Sequence, residues 1–534
     1  MPGYKTLFMK KLKIFLFPFW FIAFVLSSCN TTTSSEKTSE TKITDIPVTT
    51  KSADALASFK EGMALSDLGD GLKARTAFGK AIEQDPKFGM AYLMRAGSSS
   101  TAKEFADDVA KGKANIDSAS SWEKMYADYM ETNLNGDRNK GLEIMQKIAS
   151  EYPDAARAQV NLGFAYVGNN QFDKARECYN KAVQMDPKWV GGYSGLTNSY
   201  LFNDPKDLKK AEENALKLVE LAPKSAGAQI TLGDCYRAQN DMQKAKDAYA
   251  KAVALDTNAP EGYYKLGHAN TYLGNMEEAR KNYADGGMHD INKVGSIFNT
   301  ANTWLYASDT KAAEKYLMDQ LAASGNMDAS QKSGFLTTVA AIAIHNDDGA
   351  TLKNVVPMMI PLSNQVTMDL GNTAETKIFA KADSLHWQAM IAIVDGKFDQ
   401  AKSILETMKT TVDPIKDPRK LEGYEYDMGM LSMKQKNYAD AVTHFEKADP
   451  NLIYNKYMLA KANEAAGNKD KAMAEYKEVA AYNFNDIGNA LVRSEVKKKI
   501  SNTIKIFVIL FKKAIHIWVA FFLSKVSQAE KRMF

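Results

Sequence analysis

One stretch constrains the fold more than any other: residues 156–189, "ARAQVNLGFAYVGNNQFDKARECYNKAVQMDPKW". It reads as helix, yet Gly163 lies inside it, where glycine costs about 1 kcal/mol relative to alanine. The pattern returns after about 34 residues. Residues 226–258 set Gly233, Tyr236, Ala245, Tyr249 and Ala252 where the first copy has Gly163, Tyr166, Ala175, Tyr179 and Ala182. Between them, residues 190–223 repeat it with two extra residues in "FNDPKD", placing Tyr200, Ala211 and Ala215. Gly267, Ala279 and Tyr283 follow, while Gly62, Ala74, Phe78, Ala81 and Pro86 precede. A worn copy places Ala301, Ala313 and Leu317 at the same steps.

Two antiparallel helices per repeat account for this spacing. Small residues at the eighth and twentieth positions let the helices approach, and the aromatic at the twenty-fourth fills the groove beside them. Breaks such as "GNNQ" turn the chain. Asp85-Pro86 and Asp186-Pro187 are expected to cap the next helix and supply its first-turn proline. The spacing of small, aromatic and proline positions resembles the tetratricopeptide repeat family, which implies an all-α fold, an α-solenoid of helix–turn–helix repeats. The resemblance is clearest over 156–290 and again at 55–88; in 89–153, "AYLMRAG" opens like a first helix and "NGDRNKGLEIMQKIASEYPD" closes like a second. The repeat solenoid is expected over 52–327. The run "VVPMMIPLSNQVTMDLGNT", with Pro357 and Pro361, breaks the array and marks an irregular helical region at 328–382. A second group of repeat-like hairpins, with Gly429, Ala441, Phe445 and Ala448, is expected over 383–499.

The first 28 residues join lysines to the apolar run "IFLFPFWFIAFVL", the layout of a secretory signal peptide, and "MKKLKIF" from Met9 is the more usual opening. Leu26-Ser27-Ser28-Cys29 resembles the bacterial lipobox. That resemblance implies a bacterial lipoprotein, with cleavage before Cys29 and lipidation of its thiol and new amino group. Two or three acyl chains anchor stably where one is marginal. Asn30 in place of aspartate favours the outer membrane by the sorting rule of such lipoproteins. Residues 29–51 read as a flexible Ser/Thr-rich tether. The tail at 500–534 contains "IKIFVILFKKAIHIWVAFFL", whose Lys512 and Lys513 would each cost roughly 2.5–3.5 kcal/mol mid-membrane. An interfacial helix, a cap on the last repeat and non-native read-through all fit it.

The formal charge of +4 does not point to nucleic acid. Residues 1–28 hold four lysines and no acid, and residues 500–534 hold a net +5, leaving the body between them near −5. Phosphate-backbone binding needs clustered Lys and Arg. The six histidines are scattered, no HExxH occurs, and "GGYSGL" misses the nucleophile elbow. The expectation is a protein that is not an enzyme, without cofactor or metal. Cys178 and Cys235 read as small packing residues rather than a disulfide.

In such a solenoid the first helix of each pair lines the inner side, with positions five, nine and twelve facing inward. These are Val160, Phe164 and Val167; Ser194, Asn198 and Leu201; Ile230, Asp234 and Arg237; Tyr264, His268 and Thr271. Val160, Phe164, Asn198, Ile230, Asp234, Arg237, Tyr264 and His268 are the candidate partner-binding groove, suited to a peptide or helix segment. Relatives that grip a terminal carboxylate use Lys and Asn at set inward positions, and position five here holds Val160, Ser194, Ile230 and Tyr264 instead. The resulting expectation is a scaffold binding another envelope protein, lipid-anchored at Cys29, with no nucleic-acid partner. The alternative is a lipoprotein that handles a small nutrient or glycan beside an outer-membrane transporter.

Overall fold

The computed structural model describes residues 46–503 and 505, apart from 100, 291, 292 and 326. The signal segment, Cys29 and the tail from 506 onward lie outside them. Among the described residues every regular element is a helix. The helices run in hairpin pairs: α1 (Ala53–Asp67) with α2 (Gly71–Gln84), α3 (Gly89–Ala96) with α4 (Ala102–Ala114), α5 (Ser121–Asn135) with α6 (Arg138–Glu151), and α7 (Ala156–Gly168) with α8 (Phe172–Met185). Next come α9 (Val190–Phe202) with α10 (Leu208–Leu221), α11 (Ala226–Ala238) with α12 (Met242–Leu255), α13 (Pro260–Leu273) with α14 (Met276–His289), and α15 (Val294–Tyr306) with α16 (Thr310–Ala322). Pairing continues through α17 (Ala329–His345) and α18 (Gly349–Asp369), α19 (Ala374–Val394) and α20 (Phe398–Val412), α21 (Glu422–Lys434) and α22 (Tyr438–Phe445), and α23 (Ile453–Ala465) and α24 (Lys469–Ala481). Helix α25 occupies residues 487–503.

The repeat's small residues are small because a ring lies on them. A β-carbon at Gly163 would sit 2.4 Å from the Tyr179 ring, at Gly233 2.4 Å from Tyr249, at Gly267 2.3 Å from Tyr283 and at Gly429 2.6 Å from Phe445. The backbone gives up helix propensity so that the aromatic of the second helix can rest on the first. In the worn copy Ala301 and Leu317 stand at these two places, both fully buried. Asn170, Asn240 and Lys436 turn hairpins in the left-handed region, at φ 56°, 65° and 64°. Asp70, Asp207 and Asp241 then cap the second helix by accepting a backbone N–H three residues on.

Several expectations are corrected. Asp85 and Asp186 end the preceding helix rather than cap the next; each carboxylate accepts the N–H two residues on, at 3.0 and 2.9 Å, folding the proline into an Asx turn. Residues 89–153, read only as opening like a first helix and closing like a second, form two hairpins. The tether stops short of residue 51: Trp122 Nε1 donates to the Pro47 carbonyl at 2.7 Å, and Thr49 donates through N and Oγ1 to Glu123 at 2.9 and 2.7 Å. Pro357 and Pro361 do not break the array, because both lie within α18 and the buried core runs past them. Residues 328–382 thus hold a regular hairpin of long helices and the start of α19. Cys178 and Cys235 are free and buried, as packing residues.

Buried side chains from α15 to α25 make one cluster, including Phe335, Leu352, Trp387, Leu405 and Tyr457. Helices α1 to α8 share another around Phe59, Phe78, Trp122 and Ile148. Between them, α7 to α14 hold small separate clusters, such as Ala245, Tyr249 and Ala269. Solenoid repeats ordinarily touch only their neighbours; this chain adds struts. At the end of α1, Asp67 accepts from both terminal nitrogens of Arg157 and from Trp189 Nε1, all at 2.8 Å. Lys73 pairs with Asp256, and Arg138 Nε donates to Asp417 at 2.6 Å.

Candidate partner-binding surface

The expected groove residues fall into two groups. Phe164 is 50% exposed, its ring edge-on to Tyr179 at 5.7 Å, and Asn198 is exposed. Ile230 is half-buried. The others are covered, which corrects the expectation that they face a free groove. Val160 packs with Ala175, Tyr179 and Leu196. Tyr264 is buried over Gly286 and Gly295, and its hydroxyl donates to Asp290 at 2.8 Å. Burial first, and Asp290 second, push that phenol well above its ordinary range.

Asp234, Arg237 and His268 do come together, but as a buried network. Asp234 accepts from Tyr249 Oη at 2.6 Å, from Lys265 Nζ at 2.9 Å and from Arg237 at 3.0 Å. Burial raises the Asp234 carboxyl, yet Lys265 and Arg237 outweigh it and hold the group below the usual carboxylate range. Arg237 Nη1 lies 2.8 Å from His268 Nδ1. Because guanidinium only donates, Nδ1 must accept, which places the imidazole proton on Nε2, where it donates to Asn299 Oδ1 at 3.0 Å. Burial, then the charge of Arg237, keeps His268 neutral with its pKa well below 6.5.

What covers this network is the chain itself. Residues 482–486, the irregular link between α24 and α25, together with Asn489 at the start of α25, lie against the α9, α11, α13 and α15 hairpins. The Phe484 ring lies 4.7 Å from Phe202 and 4.8 Å from the Arg237 guanidinium. Asn485 Nδ2 donates to Asn299 at 2.8 Å, and Asn489 Nδ2 donates to Tyr272 Oη at 2.9 Å. Sequence reasoning missed this segment. Its signal was an aromatic set among amides in "YNFNDIGN", read only as the end of a hairpin group.

A second feature was also missed. Around Trp387 is a cleft of about 740 Å³. Ile344, Trp387, Tyr426 and Tyr454 line it, together with Phe379 and Leu452, which are 41% and 54% exposed. Tyr482, Ile487 and Leu491 line it too, so the link that covers the groove also borders the cleft. The lining charges are largely paired: Arg138 with Asp417, and Arg419 with Glu422 and Asp449 at 2.8 and 2.9 Å. His386 Nδ1 donates to the fully buried Asp427 carboxylate at 2.8 and 2.9 Å. Burial pulls the His386 pKa down, but Asp427 outweighs it and holds the ring above its ordinary value. Among the described residues, no group of three or more His, Cys, Asp or Glu could hold a metal ion.

Models of the tetratricopeptide repeat match residues 156–188, 226–258 and 260–285, which are α7–α8, α11–α12 and α13–α14. These stretches are similar to tetratricopeptide repeats. The chain folds as an all-α solenoid built on them. No curated protein matches the chain. Among solved structures it is similar to MamA, at 26% identity over 29% of this chain and 90% of that chain, with a TM-score of 0.25. It is similar to YrrB, described as a TPR protein with an unusual peptide-binding site, at 20% identity over 35% and 94% of the two chains, TM-score 0.26. The Cut9–Hcn1 hetero-tetramer of the APC/C matches over 79% of this chain and 76% of that one, at 14% identity and a TM-score of 0.37.

Proposed function

We propose that this chain is a non-catalytic protein-interaction scaffold, tethered through Cys29 to the bacterial outer membrane, that takes a segment of another envelope protein on its inner surface. Tetratricopeptide repeats support the scaffold role, since a rigid array of hairpins presents side chains at fixed spacing to an extended partner. The observation that carries the binding site is the cleft at Trp387, where Phe379 and Leu452 stand exposed beside aromatic walls. Exposed apolar side chains around a concavity with paired charges suit an apolar anchor residue with a polar flank. Tethering would raise the local concentration of the partner. The lipobox, with Asn30 after Cys29, supports the anchor and its membrane.

The first test pairs Phe379→Asp with Leu452→Asp in the full chain, compared with wild type by cross-linking in native membranes. A partner captured by wild type and lost from the pair, with helical circular dichroism unchanged, is the expected result. Retention by the pair would remove the cleft from the site. Labelling with a palmitate analogue tests the anchor: Cys29→Ser should abolish incorporation, and persistent labelling overturns lipidation there.

The cleft volume also favours a second reading, a small ligand stacked on Trp387, Tyr426 and Tyr454, because pockets of this size hold small molecules. Thermal melting against glycan and peptide pools separates the two, since a ligand at 100 times its dissociation constant adds about 2.7 kcal/mol.

A further inference from the structure

Residues 482–486 link α24 to α25. The link is irregular, leaving α24 with extended backbone at Tyr482 and bending at Phe484, and its side chains are shared out among successive hairpins. Asn483 Nδ2 reaches Asn240, beyond the end of α11, at 3.4 Å; Phe484 enters between Phe202 of α9 and Arg237 of α11; Asn485 reaches Asn299 of α15. Asn489, at the start of α25, reaches Tyr272 of α13 at 2.9 Å and Tyr306 of α15 at 3.3 Å. Side chains distributed over successive repeats are how the concave surface of such an array holds a bound segment.

The fit leaves hydrogen-bonding capacity unused. Arg237 Nε, Asn485 Oδ1 and Asn489 Oδ1 are buried without a hydrogen-bond partner. A buried polar atom left without a partner weakens the fit of the segment that leaves it so. Phe202, whose ring meets that of Phe484 at a tilt of 54°, is still 41% exposed, so one edge of the site is open to solvent. Only Arg237 Nε belongs to the groove; the two amide oxygens belong to the resident segment, so a segment that met Arg237 Nε and buried no unpaired amide oxygen would fit the same surface better than the chain's own.

We infer that the inner groove of α9–α15 is a recognition site for an extended peptide carrying an aromatic residue between two amide side chains, and that residues 482–489 hold it in a self-occupied state. This deepens the scaffold reading and rests on it; the partner's segment reaches the groove by displacing the link. Covalent attachment gives the resident segment an effective concentration on the order of mM. A free peptide with the same contacts therefore competes poorly at micromolar levels until the resident is weakened. Because Tyr482, Ile487 and Leu491 also border the Trp387 cleft, displacement would remodel one wall of that cleft.

The test uses a fluorescein-labelled peptide of residues 481–490, AYNFNDIGNA, with anisotropy as the readout. Full-length wild type at micromolar concentration should leave the peptide free. The Phe484→Ala/Asn485→Ala chain, with unchanged circular dichroism, should bind it at least ten-fold more tightly, and a peptide with alanine for its phenylalanine should not bind. A folded double variant that ignores the peptide overturns the inference and makes the link a fixed brace. If the double variant fails to fold, hydrogen exchange on wild type decides: millimolar peptide should speed exchange at 482–489, and no change there overturns the inference. Neither readout involves Phe379 or Leu452, so failure of the groove and failure of the cleft are separable.

Discussion

The strict repeats of α7–α14 and the looser hairpins of α15–α25 solve the same packing problem differently. In the first region α7–α8, α11–α12 and α13–α14 each close on themselves, a glycine on one helix under a ring from the other, with a handful of buried residues per cluster. Polar networks such as Asp234–Arg237–His268 then lie between hairpins. In the second region longer helices, α17–α19 among them, pool their apolar faces into one core running from Ile297 to Val496. A strict period therefore marks hairpins whose packing is local. Its loss marks packing shared among many hairpins, not a loss of order.

Substitutions should separate the regions. The largest effect is expected for Phe335→Ala, which opens a cavity in the shared core and should cost about 3–5 kcal/mol. Native-state hydrogen exchange should show protection falling from α15 to α25; a loss confined to α17 would break the comparison. Gly163→Ala, whose new methyl meets Tyr179, should cost about 1–3 kcal/mol. That loss should stay within α7–α9, and adding Tyr179→Leu should recover part of it.

Acid should act on the two regions in opposite senses. The His268 pKa is depressed in the fold, among Arg237, Lys265 and Asp234, so its contribution is intact above pH ~6.5 and is lost as pH falls below that value. His386 is raised by Asp427, with Asp383 adding to it, so its contribution is intact below pH ~6.5 and is lost as pH rises through its folded value. Exchange followed from pH 5 to pH 8 should show α11–α15 gaining protection on that charge and α19–α21 losing it. Parallel profiles, or a shift that survives His268→Asn, would contradict these assignments. The smallest effect is expected for Asn198→Ala, within about 0.5 kcal/mol, since the side chain is exposed.

The hairpins were legible because glycine at one place and tyrosine at another report a single contact between neighbours. Phe164 and Asn198 were placed at the surface, as their positions imply. Val160, Tyr264 and His268 were not, because the inward positions of a solenoid are free only where nothing covers them. Val160 and Tyr264 are covered by their own and neighbouring hairpins, and the Arg237–His268 network by Phe484 and Asn485, more than two hundred residues further on, a distance of which periodicity carries no record. The prolines at 357 and 361 misled for a related reason. Proline is costly within an isolated helix, but α18 is held by the shared core on its buried face.

The struts at Asp67 have a consequence for how such an array can change over time. Tandem repeats usually lengthen and shorten by whole units, since each copy needs only an acceptable neighbour. Here Asp67 must meet Arg157 and Trp189, Arg138 must meet Asp417, and Phe484 must meet Phe202. Inserting or deleting one hairpin between any of these partners would move them out of reach together. The copy number is therefore part of the folded structure, and duplication or loss of a unit, the easy route for other solenoids, is closed to this one.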